Sequence, residues 1–123
     1  MITSKLILVI DDDADLRDVL SEILRQEGYA VTEQPSGRDI YNIIQSVKPD
    51  LIILDVMLDG VDGRDICRKL KKHQIVKLIP VIVVSAGFGL KDMKQKDCCA
   101  DDYLPKPFDI DELLDKVSRL LSR

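Results

Sequence analysis

Four places in this sequence carry residue types that could do chemistry together. Three consecutive acids, Asp11, Asp12 and Asp13, follow the apolar stretch Leu6 to Ile10. Asp55 follows Leu51 to Leu54, Ser85 follows Val81 to Val84, and Lys106 follows Asp102 to Leu104. Placed at the ends of neighbouring strands, these residues would share one rim. Carboxylates held a few ångströms apart repel by roughly 4 kcal/mol per pair at 4 Å for an effective dielectric of 20, and a divalent cation removes that penalty. Oxygen ligands without His or Cys select a hard ion, and Mg²⁺ commonly takes one or two carboxylates, several waters and a phosphate oxygen. A carboxylate is also a competent nucleophile toward phosphorus, forming an acyl phosphate once the charge on the transferring oxygens is neutralised. The Lys106 ammonium and the Ser85 hydroxyl can donate to phosphoryl oxygens. Lys106 precedes Pro107, and an X-Pro bond adopts the cis form at modest cost, which would turn the loop and aim the lysine inward.

Blander roles compete for each of these residues. Strand-end Asp residues often do no more than cap the next helix, and that role suits Asp13 or Asp15. Capping does not call for three acids on two neighbouring strand ends, which is the arrangement of Asp11, Asp12 and Asp55. Asp11, Asp13, Asp15 and Glu22 imitate the spacing of a calcium loop, but Leu16 stands at the position that requires Gly, and the segment has helical periodicity. His73, the only histidine, reads as a solvated residue after the third helix rather than a catalyst. Tyr103 on its own reads as an edge-strand aromatic.

The elements that must position these residues follow from two alternating hydrophobic periods, each change being marked by Gly, Pro or Asp. Leu6 to Ile10, Leu51 to Leu54 and Val81 to Val84 are continuous apolar runs, as expected of strands covered on both faces. Ala30 to Glu33 is shorter and more polar, fitting one edge, and Asp102 to Leu104 fits the other. Between them, Leu16, Val19, Leu20, Ile23 and Leu24 form one helical stripe before Gly28. Ile40, Ile43, Ile44 and Val47 repeat it before Pro49. Asp62 to Leu70 and Leu90 to Lys96 give a third and a fourth helix. Ile110 to Leu121 gives the fifth, with Asp109 and Glu112 spaced as a cap and its partner. Five strand-helix units with short connections predict an α/β fold with a doubly wound, five-stranded parallel sheet. In such a sheet ligands bind beyond the carboxyl ends of the strands, which is where the acids, Ser85 and Lys106 fall.

Composition narrows the setting. A chain of 123 residues, 46% hydrophobic, suits a single domain over 1–123. A formal net charge of -4 gives no general affinity for nucleic acid or an anionic membrane. No apolar run reaches the roughly 20 residues that span a bilayer, and a cytoplasmic location is expected. The three cysteines, two of them adjacent at Cys98 and Cys99, read as reduced structural thiols.

With these residues in place, the chain resembles the receiver domains of two-component response regulators over nearly its whole length. The segments that carry the likeness are ILVIDDDADLR at 7 to 17, PDLIILDVML at 49 to 58, DG at 62 and 63, PVIVVSA at 80 to 86, and ADDYLPKPFDIDEL at 100 to 113. The resemblance implies a flavodoxin-like (βα)5 fold with strand order 2-1-3-4-5. It implies that Asp55 accepts the phosphoryl group and that Asp11, Asp12, Asp55 and the backbone carbonyl of Met57 hold Mg²⁺. It further implies that Lys106 partners the phosphoryl group, that Ser85 is the hydroxyl switch, and that Tyr103 is the rotating aromatic reporting to the surface of the fourth helix, fifth strand and fifth helix. The donor would be a sensor histidine kinase or a histidine phosphotransfer protein. Homodimerisation through that same surface follows by analogy. The domain would be a signalling phosphoacceptor rather than an enzyme, its own chemistry limited to phosphotransfer and slow autodephosphorylation. Three departures stand out: Asp59 where the family often has Pro, Cys99 where it usually has Gly, and Ser85 in place of Thr.

Two other functions compete. A phosphatase of the haloacid dehalogenase type would make Asp11 the nucleophile and Asp13 the acid/base, but the chain is short for that fold and lacks a later acidic metal motif. A phosphorylation-independent interaction module has no physical reason to keep mutually repelling carboxylates beside Ser85 and Lys106.

Overall fold

The computed structural model describes residues 4–58, 60–86 and 100–122. Strands β1 (Leu6–Ile10), β2 (Ala30–Gln34), β3 (Leu51–Asp55), β6 (Val81–Ala86) and β7 (Asp102–Lys106) pair in parallel in the order β2-β1-β3-β6-β7. This is the expected 2-1-3-4-5 order, since β4 (Met57–Leu58) and β5 (Val61–Asp62) form a separate antiparallel ribbon. The sheet is therefore the doubly wound, flavodoxin-like arrangement, and its order reverses between β1 and β3.

Three of the described helices, the first, the third and the C-terminal one, start where the sequence supplies an acceptor for their free amides. Asp13 accepts from the Asp15 and Leu16 amides and opens α1 (Ala14–Gln26). Asp62 accepts from the Arg64 amide at the start of α3 (Gly63–Lys72), and Asp109 does the same for α4 (Ile110–Leu121) through the Asp111 and Glu112 amides. α1 stops at Gly28, whose φ of 95° is a conformation that a side chain would disfavour. α2 (Ile40–Val47) is bounded by Asp39 and Lys48, both left-handed, and Pro49 prevents its continuation.

Side chains alternate across the sheet and divide the core in two. Leu8, Ile10, Ile52, Leu54, Val83 and Tyr103 face α2 and α3, where Ile40, Ile44, Cys67 and Leu70 meet them. Ile7, Val9, Leu51, Ile53, Val84 and Leu104 face α1 and α4, against Leu20, Leu24, Leu113 and Val117. Cys67 is buried in the first of these layers. His73 is not simply solvated. Its Nδ1 accepts from the Ile75 and Val76 amides, fixing the 3-10 turn Val76–Leu78, and its ring lies 5.5 Å from that of Tyr41. The expected fourth helix, Leu90 to Lys96, lies outside the described residues, as do Asp59, Cys98 and Cys99.

Candidate functional site

The parallel register brings the strand ends to one rim. Asp11 follows β1 and Asp55 closes β3, and both are buried, with relative exposures of 4% and 6%. The Asp11 amide donates to the Gln34 carbonyl at 3.2 Å, and its Oδ1 accepts from the Asp13 amide at 2.9 Å. Asp55 Oδ1 accepts from the Met57 amide at 3.3 Å. Lys106 ends β7, two strands away, and its Nζ spans the gap, 3.2 Å from Asp11 Oδ2 and 3.4 Å from Asp55 Oδ2. The Lys106–Pro107 bond is cis, as expected.

Asp12 stands exposed beside this buried pair, and one carboxylate oxygen from each of Asp11, Asp12 and Asp55 lies within 4.8 Å of the others. These are hard oxygen donors on a rim open to solvent, with a cavity of about 480 Å³ beside them lined by Asp12, Val56, Met57 and Arg64. The donor set fits Mg²⁺, which keeps several waters while taking one or two carboxylates. The electrostatics agree. Burial is the largest influence on Asp55 and raises its pKa; Lys106 pulls it down and Asp11 pushes it up again, leaving it at about 6 against an ordinary 3.8. A cation placed between Asp11 and Asp55 would relieve the part of this rise that comes from their mutual repulsion.

Ser85 lies on β6 one residue beyond Val84, the neighbour of Asp55 in the register, and is fully buried. Tyr103 is buried at 8% exposure in the core layer under α2 and α3. Met57 is 60% exposed on the short ribbon, its amide turned toward Asp55.

Two residues that sequence reasoning gave no role are built into the site. Gly63 opens α3 directly against β3: its amide donates to the Val56 carbonyl at 2.7 Å, and a Cβ there would collide with the Asp55 carbonyl oxygen. The Asp-Gly pair at 62 and 63 is thus both cap and close approach. Arg17, in α1, donates to the Asp11 carbonyl at 2.6 Å. Its place in the DDDADLR segment was visible, but not the backbone acceptor it would find.

The family model for the response regulator receiver domain matches residues 7–118. The DNA-binding dual master transcriptional regulator RpaA of Synechocystis is 41% identical over 118 residues, covering 95% of this chain and 49% of its own length. The response regulator MprA of Mycolicibacterium vanbaalenii is 39% identical, covering 95% and 50%. The chain thus spans about half the length of the curated relatives it matches. Among solved structures, the signal receiver domain of a histidine kinase from Syntrophus aciditrophicus aligns with a TM-score of 0.87 at 33% identity, over 97% of this chain and 91% of that one. The receiver domain of the Francisella response regulator 1452 aligns with a TM-score of 0.87 at 30% identity, over 98% of both chains. Fold, rim and relatives agree: this chain belongs to the response regulator receiver domain family, the phosphoaccepting signalling domains of two-component systems.

Proposed function

We propose that Asp55 is the phosphoacceptor, that Asp11, Asp12, Asp55 and the Met57 carbonyl hold Mg²⁺, and that Lys106 pairs with the phosphoryl group. The observation that carries this reading is the Lys106 ammonium bridging Asp11 and Asp55 within a cluster of three acids. An Asp55 carboxylate oxygen attacks phosphorus and forms the new P–O bond. The P–N bond to the donor imidazole breaks, its electron pair leaves with the ring nitrogen, and the phosphoryl group arrives on Asp55. Mg²⁺ held by Asp11, Asp12, Asp55 and the Met57 carbonyl would supply positive charge against the charge on the phosphoryl group. Lys106 supplies the rest and exchanges its Asp55 contact for a phosphoryl oxygen.

The donor is a phosphohistidine on a sensor histidine kinase or a histidine phosphotransfer protein, and the domain acts as a signalling module rather than a turnover enzyme. Ser85 joins the phosphoryl group as a hydroxyl donor, and Tyr103 turns with it, changing the surface of β7 and α4. Phosphorylation then selects one of two arrangements by its added contacts, and the same surface serves homodimerisation. The DNA binding in the cyanobacterial relative's name belongs, in this reading, to the half of that protein that the present chain does not match; the acidic balance of -4 here agrees. No described helix is long and apolar enough to cross a membrane, which accords with work in the cytoplasm.

Incubation with a small acyl phosphate tests the reading. In Mg²⁺ the protein gains a base-labile phosphate, and in excess chelator it gains none. Labelling that proceeds equally without a divalent cation overturns the metal assignment.

A further inference from the structure

We infer that Arg17 is a positioning residue for the acidic turn, fixing the Asp11 carboxylate where a magnesium ion is taken; this rests on the metal reading above. Arg17 lies on the first turns of α1, and its side chain is 16% exposed. Instead of extending into water it runs back to the tip of β1, where Nη1 donates to the Asp11 carbonyl at 2.6 Å. On its other side Nε lies 3.4 Å from Glu33 Oε1, on edge strand β2. Glu33 is itself held by Arg25, also at 3.4 Å, one helical stretch further along α1.

The hydrogen bond of the guanidinium goes to the Asp11 carbonyl, while Glu33 faces Nε as an ion-pair partner and accepts no hydrogen bond from it. The consequence for Asp11 is that its backbone is held at both of its flanking peptides, by Arg17 at the carbonyl and by the Gln34 carbonyl at the amide. Its carboxylate is gripped as well, by the Asp13 amide and by Lys106. Without Arg17 the turn between β1 and α1 keeps its helix cap, but the Asp11 carbonyl loses its charged partner and the peptide can rotate.

The sign of the effect separates positioning from plain electrostatics. Arg17 is a cation close to the acids, so removing its charge should by itself tighten the binding of another cation. Weaker binding in its absence therefore reports lost placement. Groups that orient metal ligands from behind typically contribute about 10-fold to 100-fold in metal affinity.

The test is Mg²⁺ binding to the full chain by titration calorimetry, together with the gain in melting temperature that Mg²⁺ confers. R17M should weaken Mg²⁺ binding by about tenfold, with a smaller Mg²⁺-dependent thermal gain. R17K, which keeps the charge and one donor, should recover part of the loss. R25M, which breaks the neighbouring Glu33 pair without touching Asp11, should lower the melting temperature and leave Mg²⁺ affinity unchanged. Circular dichroism accompanies each variant, and R17Q takes the place of R17M should the methionine protein not fold. Unchanged or tighter Mg²⁺ binding in R17M, or no recovery in R17K, overturns the role given to Arg17. Failure of the unmodified protein to bind Mg²⁺ at all overturns the metal reading beneath it.

Discussion

Replacing Asp55 by Asn should stabilise the metal-free protein while removing its phosphoacceptor. Asp55 is buried at 6% exposure, and its ionised form is held against burial and against Asp11, with only Lys106 and the Met57 amide in its favour. The rise of its pKa from 3.8 to about 6 corresponds to roughly 3 kcal/mol between the two protonation states. The rim opens to solvent at Asp12, so screening reduces this to about 1 to 2 kcal/mol. Asn approximates the neutral carboxyl in shape and should recover that amount. The pH dependence fixes the sign. Between pH 3.8 and about 6 the folded state keeps a proton that the unfolded chain has released, so the contribution of Asp55 to stability is present at low pH and lost as pH rises through 6. The advantage of D55N should therefore be absent near pH 4, grow toward pH 6 and level off above it. Urea denaturation in chelator measures this as a midpoint higher by roughly 0.5 to 1 M at pH 7.5. Excess Mg²⁺ should then narrow or reverse the gap, because a ligand that binds only the folded wild type at a hundredfold above its Kd adds about 2.7 kcal/mol. A D55N protein no more stable than wild type in chelator, or one whose advantage does not change with pH, would refute the electrostatic reasoning.

Other perturbations should act with distinct signatures. K106A leaves Asp11 and Asp55 facing each other and should destabilise the metal-free protein by about 1 to 3 kcal/mol, the opposite sign to D55N, while retaining Mg²⁺ binding and slowing phosphorylation; thermal denaturation and labelling rate read these separately. G63A places a Cβ against the Asp55 carbonyl and should cost about 1 to 3 kcal/mol, with phosphorylation reduced as well, since the backbone that must yield carries the acceptor. K71A removes one partner of the Lys71–Asp101 pair, 2.6 Å apart at the opposite end of the sheet, where Asp101 also accepts from the Val81 amide. Breaking it should cost about 3 kcal/mol in urea denaturation and leave the Mg²⁺ dependence of labelling unchanged.

How much of this was legible in the residues varied with how local the signal is. The central strands were readable because β1 and β3 are buried on both faces and so carry unbroken apolar runs. The caps Asp13 and Asp109 were readable because an acceptor before a periodic stripe has one local use, whereas Asp62, expected inside the third helix, is its cap. The fifth strand of the sheet, β7, was expected only over Asp102 to Leu104, and Pro105 cannot donate to a ladder. It runs on to Lys106 because it is the edge strand, where a missing donor is tolerated. The ribbon of β4 and β5 has two residues in each strand, too few to show a period. The rim acids and Lys106 were legible as a group, because each ends an apolar run. Arg17 and His73 were not, because both act on backbone atoms brought near by the turn of the chain, and a backbone acceptor leaves no mark on the sequence.

Locating the phosphate is the most direct measurement. After reaction with a small acyl phosphate in Mg²⁺, borohydride reduction and peptide mass spectrometry should place the modified residue at Asp55, with no reduced product at Asp11, Asp12 or Asp13. A product at Asp11, or a D55N protein labelled as fully as the wild type, would contradict the account.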